Sequence, residues 1–298
     1  MTSALTQIAL AGGVMAGLGT LLATVLAVAS RRLYVYEDPR IEEIEELLPR
    51  ANCGACGLAG CRQFAEALIE GQAEPSQCTV NASELNQQIA DLLGVSVGKQ
   101  ERLIARLACA GGTHVAANRA RYEGLKSCRA AALVAGGGKG CVWGCLGLGD
   151  CVEACSFGAI ELNRYGLPIV DAERCTGCGD CVDICPKNLF SLHPESRRLW
   201  VACSNQDPQD EAEAQCEVAC TGCGRCVADA PEGLIRIENH LAVIDYSKND
   251  LASPVAIERC PTGAIVWLED GDEPRRGAGA RKITRKEPLP RMEPLPRV

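Results

Sequence analysis

Between Ala4 and Ala29 the chain carries no charged side chain, and Leu, Ala, Val and Gly dominate. That run is long enough to cross a bilayer as one helix. Ala9, Gly13 and Gly17 recur at four-residue spacing, a small-residue stripe suited to packing on another membrane helix. Downstream, Ile41, Ile44, Leu47 and Leu48 among Glu42, Glu43, Glu45 and Glu46 follow the period of a short amphipathic helix. Residues 62–70 and 83–93 also read as helices. Further on the period shortens. Segments 159–162 with 167–170, and 234–238 with 241–245, predict two matching hairpins. The expected fold class is therefore α+β: one N-terminal transmembrane helix, a small helical domain, and two hairpin-bearing modules.

Charge changes the picture at both ends. No Lys or Arg precedes the apolar run, as a signal peptide would want, and the basic pair Arg31-Arg32 follows it. The positive-inside rule then places the rest of this single-pass chain in the cytoplasm. From Asp270 onward Pro and basic residues dominate. Residues 274–298 hold eight Lys or Arg against two Glu, in a chain whose net charge is −8. Glu287-Pro288-Leu289-Pro290-Arg291 returns as Glu293-Pro294-Leu295-Pro296-Arg297. Such proline density favours extended, disordered chain; the alternative is a docking segment for a partner or anionic lipid.

The chemistry lies in twenty cysteines. One short phrase recurs four times: Cys155-Ser156-Phe157-Gly158-Ala159-Ile160, Cys185-Pro186-Lys187-Asn188-Leu189-Phe190, Ala230-Pro231-Glu232-Gly233-Leu234-Ile235 and Cys260-Pro261-Thr262-Gly263-Ala264-Ile265. Such a phrase closes the bacterial Cys-x2-Cys-x2-Cys-x3-Cys-Pro run, whose last Cys ligates the other cubane of a pair. Four ligand sets follow. Cys53, Cys56, Cys61 and Cys78 form the first. Cys141, Cys145, Cys151 and Cys185 form one cubane site of an intact module, and Cys175, Cys178, Cys181 and Cys155 the other. Cys220, Cys223, Cys226 and Cys260 form the last, with Cys216 a competitor for Cys220. Its partner set, Ala230 with positions near Asp250 (or Asn249), Ser253 and Ala256, lacks Cys entirely, so that module is expected to have shed one cluster. The cofactor expectation is four [4Fe-4S] clusters. Zinc is the rival, which needs only four ligands in two pairs. Cys109, Cys128, Cys203 and Cys216 are left over, and a buried free thiol is the default for each.

These readings divide the chain into an anchor at 1–30, a 4Fe-4S domain at 31–97, a linker at 98–140, a two-cluster module at 141–202, a one-cluster module at 203–268 and a basic tail at 269–298. With 47% hydrophobic but only 4% aromatic residues, the modules have small apolar cores, and clusters should help to hold them. The glycine run ending in Lys139 is not a phosphate loop, since no Ser or Thr follows the Lys. No Gly-x-Gly-x-x-Gly follows a strand. His114, His193 and His240 are isolated, and no nucleophile–base pair stands out. The residues describe an electron carrier that leaves bond chemistry to others.

The order of parts closely resembles the RnfB family, the B subunits of the Rnf complex, which is the ion-translocating ferredoxin:NAD oxidoreductase of bacteria. Cys53-Gly54-Ala55-Cys56-Gly57-Leu58-Ala59-Gly60-Cys61 and Gly144-Cys145-Leu146-Gly147-Leu148-Gly149-Asp150-Cys151 carry the likeness, which covers about residues 1–268. The resemblance implies a non-catalytic electron-carrying subunit of a translocase. It would exchange electrons with soluble ferredoxin or flavodoxin and pass them to membrane and cytoplasmic partners that hold flavin and NAD, binding no nucleotide or nucleic acid itself. An anchored ferredoxin-like partner of another redox enzyme, without ion pumping, is the alternative, and a structural metal-binding adaptor a third.

Overall fold

The computed structural model describes residues 2–33, 37–99, 101–269 and 273–283. The Pro-Leu-Pro repeats of the tail fall at 284–298, outside the described residues. Helix α1 (Thr2–Arg32) contains a 23-residue apolar stretch, Leu10–Arg32, long enough to cross a membrane. Leu10, Val14, Leu18, Leu21 and Val25 are all exposed, so no described part of the chain covers this stretch.

The first domain is helical. Helices α2 (Arg40–Leu47), α3 (Cys61–Ile69) and α4 (Ser83–Leu93) enclose Ile41, Ile44, Phe64, Ala65, Leu68 and Ile89. Each helix buries its apolar stripe, as the sequence period requires, and α4 adds Asn86, whose amide donates to Cys78 O. Gly94 ends α4 in the left-handed conformation that glycine adopts without steric penalty.

Two modules of one plan follow. In the first, β1 (Leu103–Leu107) pairs antiparallel with β4 (Phe190–Pro194), and β2 (Ile160–Leu162) with β3 (Pro168–Val170). In the second, β5 (Leu199–Val201) pairs with β8 (Ile265–Trp267), and β6 (Ile235–Glu238) with β7 (Leu241–Ile244). Both expected hairpins are present. Short helices α6 (Asp150–Ala154), α7 (Asp180–Ile184) and α9 (Arg225–Asp229) each start after a left-handed glycine, Gly149, Gly179 and Gly224. Helices α5 (Cys128–Leu133) and α8 (Gln209–Gln215) lie in connecting segments.

The module boundaries differ from those expected. Each module opens with a strand ahead of its first cysteine run, because the last strand needs an antiparallel partner for its backbone groups. The first module therefore begins at β1, inside the segment expected to be a linker. The rest of that segment is structured as well. Residues 108–117 run alongside the second module, with Ala110 N–H donating to Ala202 O, Ala117 N–H to Gln215 O, and Glu217 N–H to Val115 O. Val115, Ala116, Ala212, Cys216, Val218 and Ala219 form a core cluster across this seam. At the other end, Arg275–Arg276 adds strand β9 to β8, so the second module continues past 268.

Candidate iron–sulfur sites

The cysteine runs share a backbone device. Counting from Cys145, Cys175 and Cys220, glycines with positive φ recur two and four residues on: Gly147 and Gly149, Gly177 and Gly179, Gly222 and Gly224. At the first of each pair a Cβ would lie 2.5 Å from Gly166 O, 2.7 Å from Leu103 O and 2.8 Å from His240 O respectively, so only glycine fits. The fourfold phrase has its own turn. Gly158, Asn188, Gly233 and Gly263 all have positive φ, with Asn188 the non-glycine that tolerates it best. The turn aims backbone N–H groups at sulfur: Ala159 N–H reaches Cys155 Sγ at 3.3 Å and Leu189 N–H reaches Cys185 Sγ at 3.5 Å.

Around these turns the structure gathers the cysteines. Cys155, Cys175, Cys178 and Cys181 line one cavity of about 320 Å³, with Ala105 N–H on Cys175 Sγ. Cys220, Cys223, Cys226 and Cys260 line another of about 350 Å³. In the helical domain Cys56, Cys61 and Cys78 pack together against Phe64 and Ile44, with Cys53 on the loop just ahead of them. Among the described residues no three His, Cys, Asp or Glu converge closely enough to hold a single metal ion. Four thiols ringing each cavity, none converged tightly enough for a single ion among the described residues, suit a cubane, which is held by four Cys, better than zinc, which draws its ligands to about 2.3 Å.

Burial sets the charge state. It pushes the thiols of Cys145, Cys181, Cys216 and Cys226 up to about 12, and that of Cys151 to about 11. Cys78, Cys141, Cys178, Cys203 and Cys220 are raised for the same reason. Without metal these groups are neutral at pH 7, and iron must displace their protons.

Cys141, expected with Cys145, Cys151 and Cys185, has neighbours of a second kind. Its sulfur accepts the amide of Asn205 at 3.4 Å and faces a cavity shared with Cys109, Cys203 and Cys216. Cys145 has Cys109 and then Cys128 as charge neighbours, and Cys151 has Cys128 and Cys185. Cys145-x5-Cys151 already spans the same six residues as Cys175–Cys181 and Cys220–Cys226, with Leu148 where Cys178 and Cys223 stand. A signal was available in the sequence: Cys141 precedes Cys145 by the same four positions by which Cys216 precedes Cys220.

Two of the positions expected to lack a cluster, Ala230 and Ala256, lie at the second module's apolar core. Ala256 and Ile257 are buried in the second module's core, and Ala230, Ala252 and Tyr246 pack on it. His193 sits half-buried at the module junction, with Ser191 Oγ and Arg197 on its ring nitrogens and Trp200 edge-on at 4.8 Å.

Comparison with known families agrees with this architecture. Residues 48–80 match a family described as "Putative Fe-S cluster", and residues 140–189 match the 4Fe-4S dicluster domain. The chain is 38% identical over 253 residues (85% of its length and 76% of the relative's) to the B subunit of the Na(+)-translocating ferredoxin:NAD(+) oxidoreductase complex of Acetobacterium woodii. It is 38% identical over 252 residues (85% and 95%) to the B subunit of the ion-translocating oxidoreductase complex of Methanosarcina acetivorans. It is 39% identical over 262 residues (87% and 92%) to the B subunit of the proton-translocating ferredoxin:NAD(+) oxidoreductase complex of Clostridium ljungdahlii. Likeness at this level along most of the chain makes the chain a member of the RnfB family, the B subunits of Rnf-type ion-translocating oxidoreductase complexes.

Proposed function

We propose that this chain, an iron–sulfur electron-transfer subunit of an Rnf-type ion-translocating complex, carries electrons between a soluble ferredoxin or flavodoxin and the flavin- and NAD-bearing subunits. It is a non-catalytic carrier. When bound, the clusters supply reversible one-electron storage. The chain's own residues hold them, exclude water and donate N–H groups to the sulfurs, which tunes potential.

The observation that carries this reading is the succession of cysteine sites along the chain. Thr79, next to Cys78, donates its hydroxyl to Thr176 O, next to Cys175. The helical domain thus docks on the first module at a cysteine loop of each. Helices α6 and α7 place Cys151 beside Cys181 within that module. Cys223 is exposed at the far module, which suits it as the door for a soluble partner. The helical domain directly follows α1 in the chain and serves the membrane side. The soluble part faces the cytoplasm, following Arg31-Arg32. The second module keeps one cluster, and apolar side chains have replaced the other.

Anaerobic purification through a tag on this chain tests the proposal. Flavin-bearing membrane subunits should co-purify, and reduced ferredoxin should bleach the cluster absorption of the isolated chain. Isolation of the chain with a different cytoplasmic enzyme and no flavin-bearing membrane subunit would point to the anchored carrier without ion pumping. Absence of any redox response would point to a structural adaptor.

A further inference from the structure

Cys109, Cys141, Cys203 and Cys216 line one cavity, as Cys155, Cys175, Cys178 and Cys181 line another. We infer that the first cavity is a fifth four-cysteine [4Fe-4S] site, built at the junction of the two modules, and that Cys128 completes the set of Cys145, Cys151 and Cys185 in place of Cys141. This inference rests on the iron–sulfur reading given above and deepens it.

The first argument is internal symmetry. Cys109 and Cys203 each lie two residues after the opening strand of their module, which ends at Leu107 and at Val201. The intervening residues bond alike: Ala108 N–H donates to Leu189 O, and Ala202 N–H to Ala264 O. Both sulfurs receive the backbone N–H of the first cysteine of the neighbouring run, Cys145 to Cys109 at 3.4 Å and Cys220 to Cys203 at 3.3 Å. Cys141 and Cys216 each lie four residues before that cysteine, and their carbonyls accept from Gly144 and Ala219. Each module therefore contributes the same two positions, and the four sulfurs close one cavity only when the modules are joined.

A second argument is the polar furnishing of the cavity. Asn205 is 1% exposed, and its amide nitrogen reaches Cys141 Sγ at 3.4 Å and Gln215 Oε1 at 3.4 Å. Its Oδ1 accepts Asp207 N–H at 2.7 Å, which fixes the orientation of the amide. Lys139 lines the same cavity and donates its ammonium to the carbonyls of Gly111 and Cys145. A buried N–H donor on sulfur and a nearby cation are the furnishings of a thiolate-held anionic group.

The third argument is what Cys128 gains. Asp150 is buried and accepts the N–H groups of Cys128 and Arg129 and the hydroxyl of Ser127, so the start of α5 is clamped to the start of α6. The clamp brings Cys128 to the place where Leu148 leaves the run one ligand short. All twenty cysteines then fall into five sets of four. The junction site stands between the site of Cys145 and that of Cys220, where the relay would otherwise break.

Iron and sulfide counts on the full chain, purified anaerobically in detergent, decide the matter. The wild type should hold about twenty iron atoms, five cubanes of four. Cys203→Ser with Cys216→Ser should drop the count by about four and remove one signal from the Mössbauer and EPR spectra of the reduced protein. Cys128→Ser should remove a different one. Sixteen irons in the wild type, unchanged in the double variant, would overturn the fifth site, as would stoichiometric zinc. Loss of one cluster on Cys141→Ser with silence at Cys128→Ser would overturn the regrouping. Should the double variant shed more than one cluster, the wild-type count alone decides, twenty upholding and sixteen overturning. A wild type without iron would instead remove the iron–sulfur reading as a whole.

Discussion

The carboxylate of Asp150 accepts the backbone N–H of Cys128 across 2.7 Å, although the two residues stand twenty-two positions apart. Burial alone would push this carboxyl up, yet the Cys128 and Arg129 amides and the Ser127 hydroxyl outweigh burial and hold it below the usual range. Asp150→Ala should cost about 1–2 kcal/mol through the lost helix cap and should free α5. The measurable result is loss of about four irons with the remaining clusters intact. Asp150→Asn keeps one acceptor and should lose less. Full iron retention in the alanine variant would show that Cys128 does not depend on this clamp.

Lys139 places a positive charge beside Cys141 and Cys145. Reduction adds a negative charge to a cluster, so a nearby cation favours the reduced form. Lys139→Met should shift at least one potential more negative by on the order of 50 mV, about 1 kcal/mol for one electron. Redox-monitored EPR reads this directly, and potentials that stay within a few mV would count against any electrostatic role.

Stability should depend on pH through His193. Burial, then the charges of Arg197 and Arg106, hold its pKa at about 4, against about 6.5 in the unfolded chain. The native state therefore excludes a proton that the unfolded state takes up, and stability falls as pH drops from about 6.5 towards 4. Partial solvent access reduces the effect to about 1 kcal/mol between pH 7 and 5.5, or roughly 3 °C in melting temperature. His193→Gln should flatten that slope relative to wild type. Parallel slopes would assign the pH dependence to other groups.

Removing the clusters tests how far they hold the fold. The cores of both modules are built partly from cysteine, with Cys151, Cys175 and Cys181 in one and Cys220 and Cys226 in the other. Chelation under reducing conditions should unfold both modules cooperatively while α1 stays helical. Sharp native-like spectra from the stripped protein would show that apolar packing suffices.

Topology has its own test. Protease added to right-side-out vesicles should spare the domains after Arg32, and inverted vesicles should expose them. Cleavage in the right-side-out preparation would reverse the orientation and exclude a cytoplasmic donor.

The hairpins at β2–β3 and β6–β7 are legible in the sequence because alternation and turn residues are local. The cysteines of the runs are legible because their spacing is local too. What the sequence hides is non-local. The run Leu103-Ile104-Ala105-Arg106-Leu107 is too short to signal a strand without its partner at Phe190–Pro194. Cys109 and Cys203 are ordinary until two modules meet. Cys128 is tied to Asp150 across twenty-two positions, and on the regrouping inferred above Cys141 is merely near in the chain to a run that begins at Cys145. Segment 98–140 reads as a linker for the same reason, since its partners lie at 189–217.

Ala230, Ala252, Ala256 and Ile257 fill the far side of the second module, and that filling has an electrical meaning. A metal-free apolar layer is a dielectric sheath. It offers no stepping stone, so charge arriving at the site of Cys220, Cys223, Cys226 and Cys260 cannot leak outward through the module's blind face. On the one-cluster reading proposed above, traffic is confined to two directions, back towards the junction or out past Cys223, and the module is a terminal with a single mouth.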